Sequence, residues 1–147
     1  MYSIPSTLDQ PILIASRAVV LPLLGDRVCA GFPSPAADLG AKRIDLTAEL
    51  IVHPQATYLL RVSGDSMKDA HIFDGDVLVV DRAVKPLHGH ICVAVVDGEF
   101  TVKYLYMRNG RFRLRAANPT YPDIVPREGQ TVEVWGVVRH TIRHFHV

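Results

Sequence analysis

Beyond residue 56 the apolar positions of the chain follow the two-residue period of half-buried strands. Tyr58-Leu-Leu-Arg-Val62 alternates, and Val77-Leu-Val-Val80 is a short apolar run rich in β-branched residues. Ile91-Cys-Val-Ala-Val-Val96 runs into Asp97-Gly98 and then Glu99 to Tyr106, two strands joined by a dipeptide favoured in type I′ hairpins. Asn109-Gly110 links that strand to Arg111–Ala116 in the same way. A last strand is predicted from Thr131 to about Ile142, with Trp135 and Val137 in the core. The best helix candidate, Asp45 to His53, is stopped by Pro54. The pattern predicts a mostly-β fold, a single compact folded-sheet or barrel-like domain of short strands.

The start of the chain reads differently. Five of the ten prolines fall before residue 36, which argues against a regular helix or a central strand there. The longest apolar run, Ile12 to Leu24, is broken by Arg17 and Pro22 and is too short to cross a bilayer as a helix. Val28-Cys29-Ala30 resembles a signal-peptide cut. However, residues 1–10 hold no Lys or Arg, and Asp26 and Arg27 place charge where such a segment needs none. The expectation is an extended N-terminal arm, residues 1–30, before a β domain of residues 31–147. The accessible joint is Ala30-Gly31-Phe32-Pro33-Ser34-Pro35.

Composition narrows the function. Of 147 residues 48% are apolar and 21% charged, enough to bury a core. Sixteen Lys and Arg against fifteen Asp and Glu lack the basic excess of a domain built to neutralise nucleic-acid phosphates. Cys29 and Cys92 are too few and too far apart for a disulfide framework or a C-x-x-C site, which fits a reducing cytosol. His88, His90, His140, Arg143, His144 and His146 read as solvated surface rather than a metal site. Asp74-Gly75-Asp76 reads as a turn that lacks the other ligands of a calcium loop. Arg111, Arg113 and Arg115 share one strand face, with Arg108 nearby: a solvated edge or a contact for a protein partner.

Two residues carry candidate chemistry. Ser66, in Ser63-Gly64-Asp65-Ser66-Met67, is either a helix cap paired with Asp69 or a nucleophile, and no G-x-S-x-G elbow or nearby His/Asp pair supplies it with a base. Lys103 lies in the apolar strand Phe100-Thr-Val-Lys-Tyr-Leu105. On a central strand burial would favour its neutral amine, a proton acceptor for a serine; on an edge it would snorkel to water.

The stretches Leu60-Arg-Val-Ser-Gly-Asp-Ser-Met-Lys-Asp, Phe73-Asp-Gly-Asp-Val-Leu-Val-Val-Asp and Val96-Asp-Gly-Glu-Phe-Thr-Val-Lys resemble the LexA/UmuD family of Ser–Lys self-cleaving proteins. Ala117-Asn-Pro-Thr-Tyr, Val134-Trp-Gly-Val-Val and the 37-residue spacing from Ser66 to Lys103 fit the same family. The joint from Ala30 to Asp38 and Arg43-Ile-Asp-Leu46 resemble its UmuD/MucA branch. The resemblance implies Ser66 as nucleophile, Lys103 as general base, and backbone N–H groups of Asp65 and Ser66 as an oxyanion hole. The cut falls at Ala30–Gly31, with Cys29–Ala30 as the fallback. It further implies cleavage stimulated by the RecA filament on single-stranded DNA, a homodimer, and service to a Y-family, UmuC-like translesion polymerase in the SOS response. No cofactor is implied. The rival reading is a non-catalytic β-domain that binds the polymerase or another partner. A LexA-like repressor would need a helix-turn-helix before the joint, which thirty proline-punctuated residues cannot supply.

Overall fold

The computed structural model describes residues 18–25, 27–33 and 41–147. Most of the expected arm, residues 1–17 and 26, lies outside them, as do residues 34–40 of the joint. The chain divides into two compact units, Met1–Val52 and His53–Val147.

In the first unit β1 (Val20–Leu24) pairs antiparallel with β2 (Ala41–Asp45), from Val20 opposite Asp45 to Leu24 opposite Ala41. The proline-rich stretch therefore does hold a strand. Pro22 is tolerated because a two-stranded ribbon needs hydrogen bonds on only one side of each strand. Helix α1 (Leu46–Leu50) follows directly. The Asp45 side chain caps it by accepting from the backbone N–H groups of Thr47 and Ala48. Helical geometry ends at Ile51, where the chain turns extended ahead of Pro54.

The second unit is one antiparallel sheet of six strands: β3 (Thr57–Arg61), β4 (Val77–Asp81), β5 (Ile91–Val96), β6 (Glu99–Arg108), β7 (Arg111–Arg115) and β8 (Val132–Ile142). Their spatial order is β3-β4-β8-β5-β6-β7. Both hairpin turns have the positive φ pairs that a type I′ turn demands, 48° and 83° at Asp97-Gly98 and 52° and 72° at Asn109-Gly110. β8 returns to the middle of the sheet, between β4 and β5, with a register irregularity against each. Gly136 sits at the tightest of these crossings: a Cβ there would lie 2.6 Å from Cγ1 of Val80.

Two apolar clusters fill the unit. Val62, Met67, Ile72, Leu78, Val80 and Val93 form one; Cys92, Ala94, Leu105, Leu114 and Val137 form the other. The continuous run in β4 is buried from Leu78 to Asp81, as a strand covered on both faces requires. Trp135 is half-buried rather than central, with its ring against Tyr58 and Phe100 and the Arg82 guanidinium 4.6 Å from its centroid. Two buried carboxylates are neutralised by arginines. Asp81 accepts from Nε of Arg139 at 2.7 Å and lies 2.6 Å from Nδ1 of His53, while Asp76 accepts two hydrogen bonds from Arg143. Arg143 is thus the anchor of the C-terminal segment, a role its place beside a string of histidines had hidden.

Candidate active site

The loop after β3 brings the serine into place. Val62 donates its N–H to the carbonyl of Asp76 and accepts from Gly75 N–H, so the loop leaves the sheet as a closed, hydrogen-bonded neck. Gly64, at φ 93°, turns the chain and donates its N–H to Oδ1 of Asp74 at 2.8 Å. Met67, 1% exposed, plugs into the first apolar cluster and fixes the residue before it. A short 3-10 turn, Lys68–Ala70, follows. Its N-cap is Met67, with no side-chain cap, so Ser66 is not the cap that its spacing to Asp69 allowed.

A second segment holds this loop from the other side. The buried Asn118 side chain donates to the carbonyl of Asp65 at 3.0 Å, and Tyr121 Oη donates to the Asp65 carboxylate at 2.7 Å. The bond to that carboxylate also pushes the Tyr121 pKa up, because ionising the phenol would set two anions side by side. Asp69 N–H donates to the carbonyl of Ala117 at 2.8 Å. Ala117-Asn118-Pro119-Thr120-Tyr121 thus serves as a clamp, which strand periodicity could not have revealed.

Lys103 projects from the middle of β6, a strand paired on both sides, and is 7% exposed. Its Nζ lies 3.0 Å from Ser66 Oγ, 2.9 Å from Thr101 Oγ1 and 3.0 Å from the Val102 carbonyl oxygen. No carboxylate pairs with it among the described residues. Burial without a counter-ion lowers its pKa, since the ammonium loses hydration that three neutral acceptors only partly replace. As a neutral amine Nζ has two protons and a lone pair. It can donate to Thr101 and Val102 while its lone pair accepts from the Ser66 hydroxyl. Thr101 is two residues from Lys103 on the same strand face, a spacing that could have flagged it.

The structure therefore brings Ser66 and Lys103 into hydrogen-bond contact. The backbone N–H groups of Asp65 and Ser66 have no acceptor among the described residues. The Ala30–Gly31 bond belongs to the first unit, in an exposed, irregular stretch between β1 and β2. His88 and His90 use Nδ1 to accept the N–H groups of Met107 and Leu87, and no group of three or more metal-ligating side chains occurs among the described residues.

Residues 22–139 match the model of the family described as Peptidase S24-like. The chain belongs to that family. The family span takes in Ser66, Lys103, both hairpins and the Ala117–Tyr121 clamp. Among relatives, Protein MucA of Salmonella typhimurium is 46% identical over 129 residues, which cover 87% of this chain and 88% of MucA. Protein SamA of Salmonella typhimurium strain LT2 is 47% identical over 117 residues, 80% of this chain and 81% of SamA. The LexA repressor of Xylella fastidiosa is 44% identical over 117 residues, 80% of this chain but 54% of the repressor. This S24 chain shares the length of MucA-type proteins, and the repressor is the longer protein. Among the described residues no helix is long and apolar enough to cross a membrane.

Proposed function

We propose that this S24-family protein is a self-cleaving serine peptidase whose product assists SOS mutagenesis. The observation that carries the reading is the 3.0 Å approach of a buried Lys103 amine, without a counter-ion, to Ser66 Oγ. Ser66 Oγ attacks the Ala30 carbonyl carbon while Lys103 Nζ takes the hydroxyl proton. The N–H groups of Asp65 and Ser66 receive the developing oxyanion. Lys103 then returns the proton to the Gly31 nitrogen, the Ala30–Gly31 bond breaks, and water hydrolyses the ester left on Ser66. The exposed, irregular stretch around Ala30 and Gly31 supports this choice of bond, since an exposed segment outside regular structure can be drawn extended into a site.

The similarity to MucA, SamA and the LexA repressor supports the partners that the family resemblance implies. A RecA filament on single-stranded DNA accelerates cleavage by favouring the conformer that seats the bond on Ser66. The shortened chain, residues 31–147, forms a homodimer in the cytoplasm and works with a Y-family, UmuC-like polymerase. Intact mass of the full chain after incubation with RecA, single-stranded DNA and a nucleotide tests this. Residues 31–147 should appear with wild type and be absent with Ser66→Ala and Lys103→Ala. A wild-type chain that stays whole would leave a binding module that kept the family fold without its chemistry.

A further inference from the structure

The far edge of the sheet carries a basic surface that cleavage does not use. β7 is the last strand, and its register sets Arg115 opposite Tyr104, Arg113 opposite Tyr106 and Arg111 opposite Arg108. These residues share one face of the β6–β7 hairpin. The guanidinium carbons of Arg108, Arg113 and Arg115 lie 5.1, 4.5 and 4.6 Å from the centroid of the Tyr106 ring, and the His88 ring packs against it in a T-shaped arrangement, centroids 4.7 Å apart. One ring thus organises three cations. Among the described residues one carboxylate pairs with these four arginines, Asp123, whose Oδ2 lies 3.4 Å from Nε of Arg113 and 3.6 Å from Nε of Arg115. Arg108 and Arg111 are exposed and have no ion pair among the described residues.

Asp123 shows what this surface accepts. Its neighbour Ile124 exchanges both backbone hydrogen bonds with Leu114, N···O 2.9 and 2.8 Å, as a single antiparallel bridge on the outer edge of β7. The chain thus lays one of its own carboxylates, on a segment bridged to the β7 edge, against half of the basic strip. Because Leu114 points its N–H and C=O outward, Phe112, two residues on, does the same, and β7 has no further strand partner there. We propose that this open half binds an extended acidic peptide segment of a partner protein. The segment pairs with the β7 edge at Phe112 and sets its carboxylates on Arg108 and Arg111, as Asp123 sets its own on Arg113 and Arg115. A nucleic acid fits less well. The guanidinium groups cover the Tyr106 ring that a base would stack on, and a phosphate backbone has nothing to pair with a strand edge.

The probe is a short, end-capped, fluorescein-labelled peptide that alternates aspartate with valine, titrated into the full chain and read by anisotropy. It should bind, weaken as salt rises, and lose about tenfold or more in affinity to a chain carrying Arg108→Gln and Arg111→Gln, while a lysine-valine peptide does not bind. Hydrogen exchange of the Phe112 amide in wild type should slow on binding, a readout that needs no variant. Absence of binding, binding indifferent to the two substitutions, or unchanged exchange at Phe112 would overturn the proposal. So would an oligothymidylate that binds as tightly and displaces the peptide, since the surface would then be a phosphate site.

Discussion

Removing the Arg143 guanidinium tests how the C-terminal segment is held to the serine-bearing half of the domain. Arg143 donates from Nε to Asp76 Oδ1 at 3.0 Å and from Nη2 to Oδ2 at 2.9 Å, and Asp76 is 2% exposed. With added bonds from Phe73 N–H and Thr141, the arginine overcomes the cost of burial and holds the Asp76 carboxyl at about 2, against an ordinary 3.8. At about 1.36 kcal/mol per pH unit that interval corresponds to about 2.5 kcal/mol of folding stability. A carboxyl with a depressed folded pKa contributes its stability above the unfolded value. The contribution is therefore complete above about pH 5 and drains away as pH falls from about 4 to about 2. Arg143→Met keeps an apolar side chain near Phe73 and removes the charge. Urea denaturation should show the variant weaker by about 2 kcal/mol at pH 7, with the gap closing as pH falls from about 4 to about 2. Asp76→Asn should flatten the same part of the profile. A gap that stays constant with pH would refute the reasoning and assign the loss to the contact of Arg143 with the Phe73 ring, 4.3 Å away.

Other parts of the domain give further outcomes. Gly136→Ala puts a Cβ against the fully buried Val80 and should cost about 1–3 kcal/mol, seen as a lower melting temperature; an unchanged melt would contradict the close crossing of β4 and β8. Asp81→Ala strips the carboxylate from Arg139 and His53 and should cost about 3 kcal/mol or more in urea, whereas a loss under about 1 kcal/mol would mean that water holds these cations as well. Burial pushes the Cys92 thiol up to about 11, so at pH 8 a thiol reagent should label it only as fast as the chain unfolds, and rapid labelling in the folded chain would show the β5 core to be open.

Much of the β domain was legible because its strands are regular and its turns chemically explicit. Ile91–Val96 is the strand the sequence predicted, and Asp97-Gly98 and Asn109-Gly110 form the predicted hairpin turns, since few other dipeptides tolerate two positive φ values. The ribbon of β1 and β2 was not legible. Pro22 within β1 and exposed apolar residues mask a pairing that depends on residues about twenty apart. Ser66 was ambiguous for a different reason: a cap and a nucleophile place the same side chain before the same turn, and the Met67 N-cap and the position of Lys103, which separate them, are both set by the fold. The interior place of β6 follows from its two hairpin partners, β5 and β7, but the approach of Ser66 to Lys103 joins residues 37 apart through a loop from another strand, which no local pattern encodes. The pairing of Asp76 with Arg143 and of Asp65 with Asn118 and Tyr121 joins residues more than fifty apart, beyond the reach of periodicity.

The most direct test of the Ser66–Lys103 reading is the first-order rate of unassisted cleavage of the full chain between pH 6 and pH 10, followed by intact mass. The account predicts a rate that rises about tenfold per pH unit and levels off below the ordinary lysine pKa, because the neutral Lys103 amine is the active form and burial lowers its pKa. Ser66→Ala, which removes no cap, should fold with a stability change within about 1 kcal/mol and stay uncut throughout. A rate that does not change with pH, or cleavage that survives in Ser66→Ala or Lys103→Ala, would contradict it.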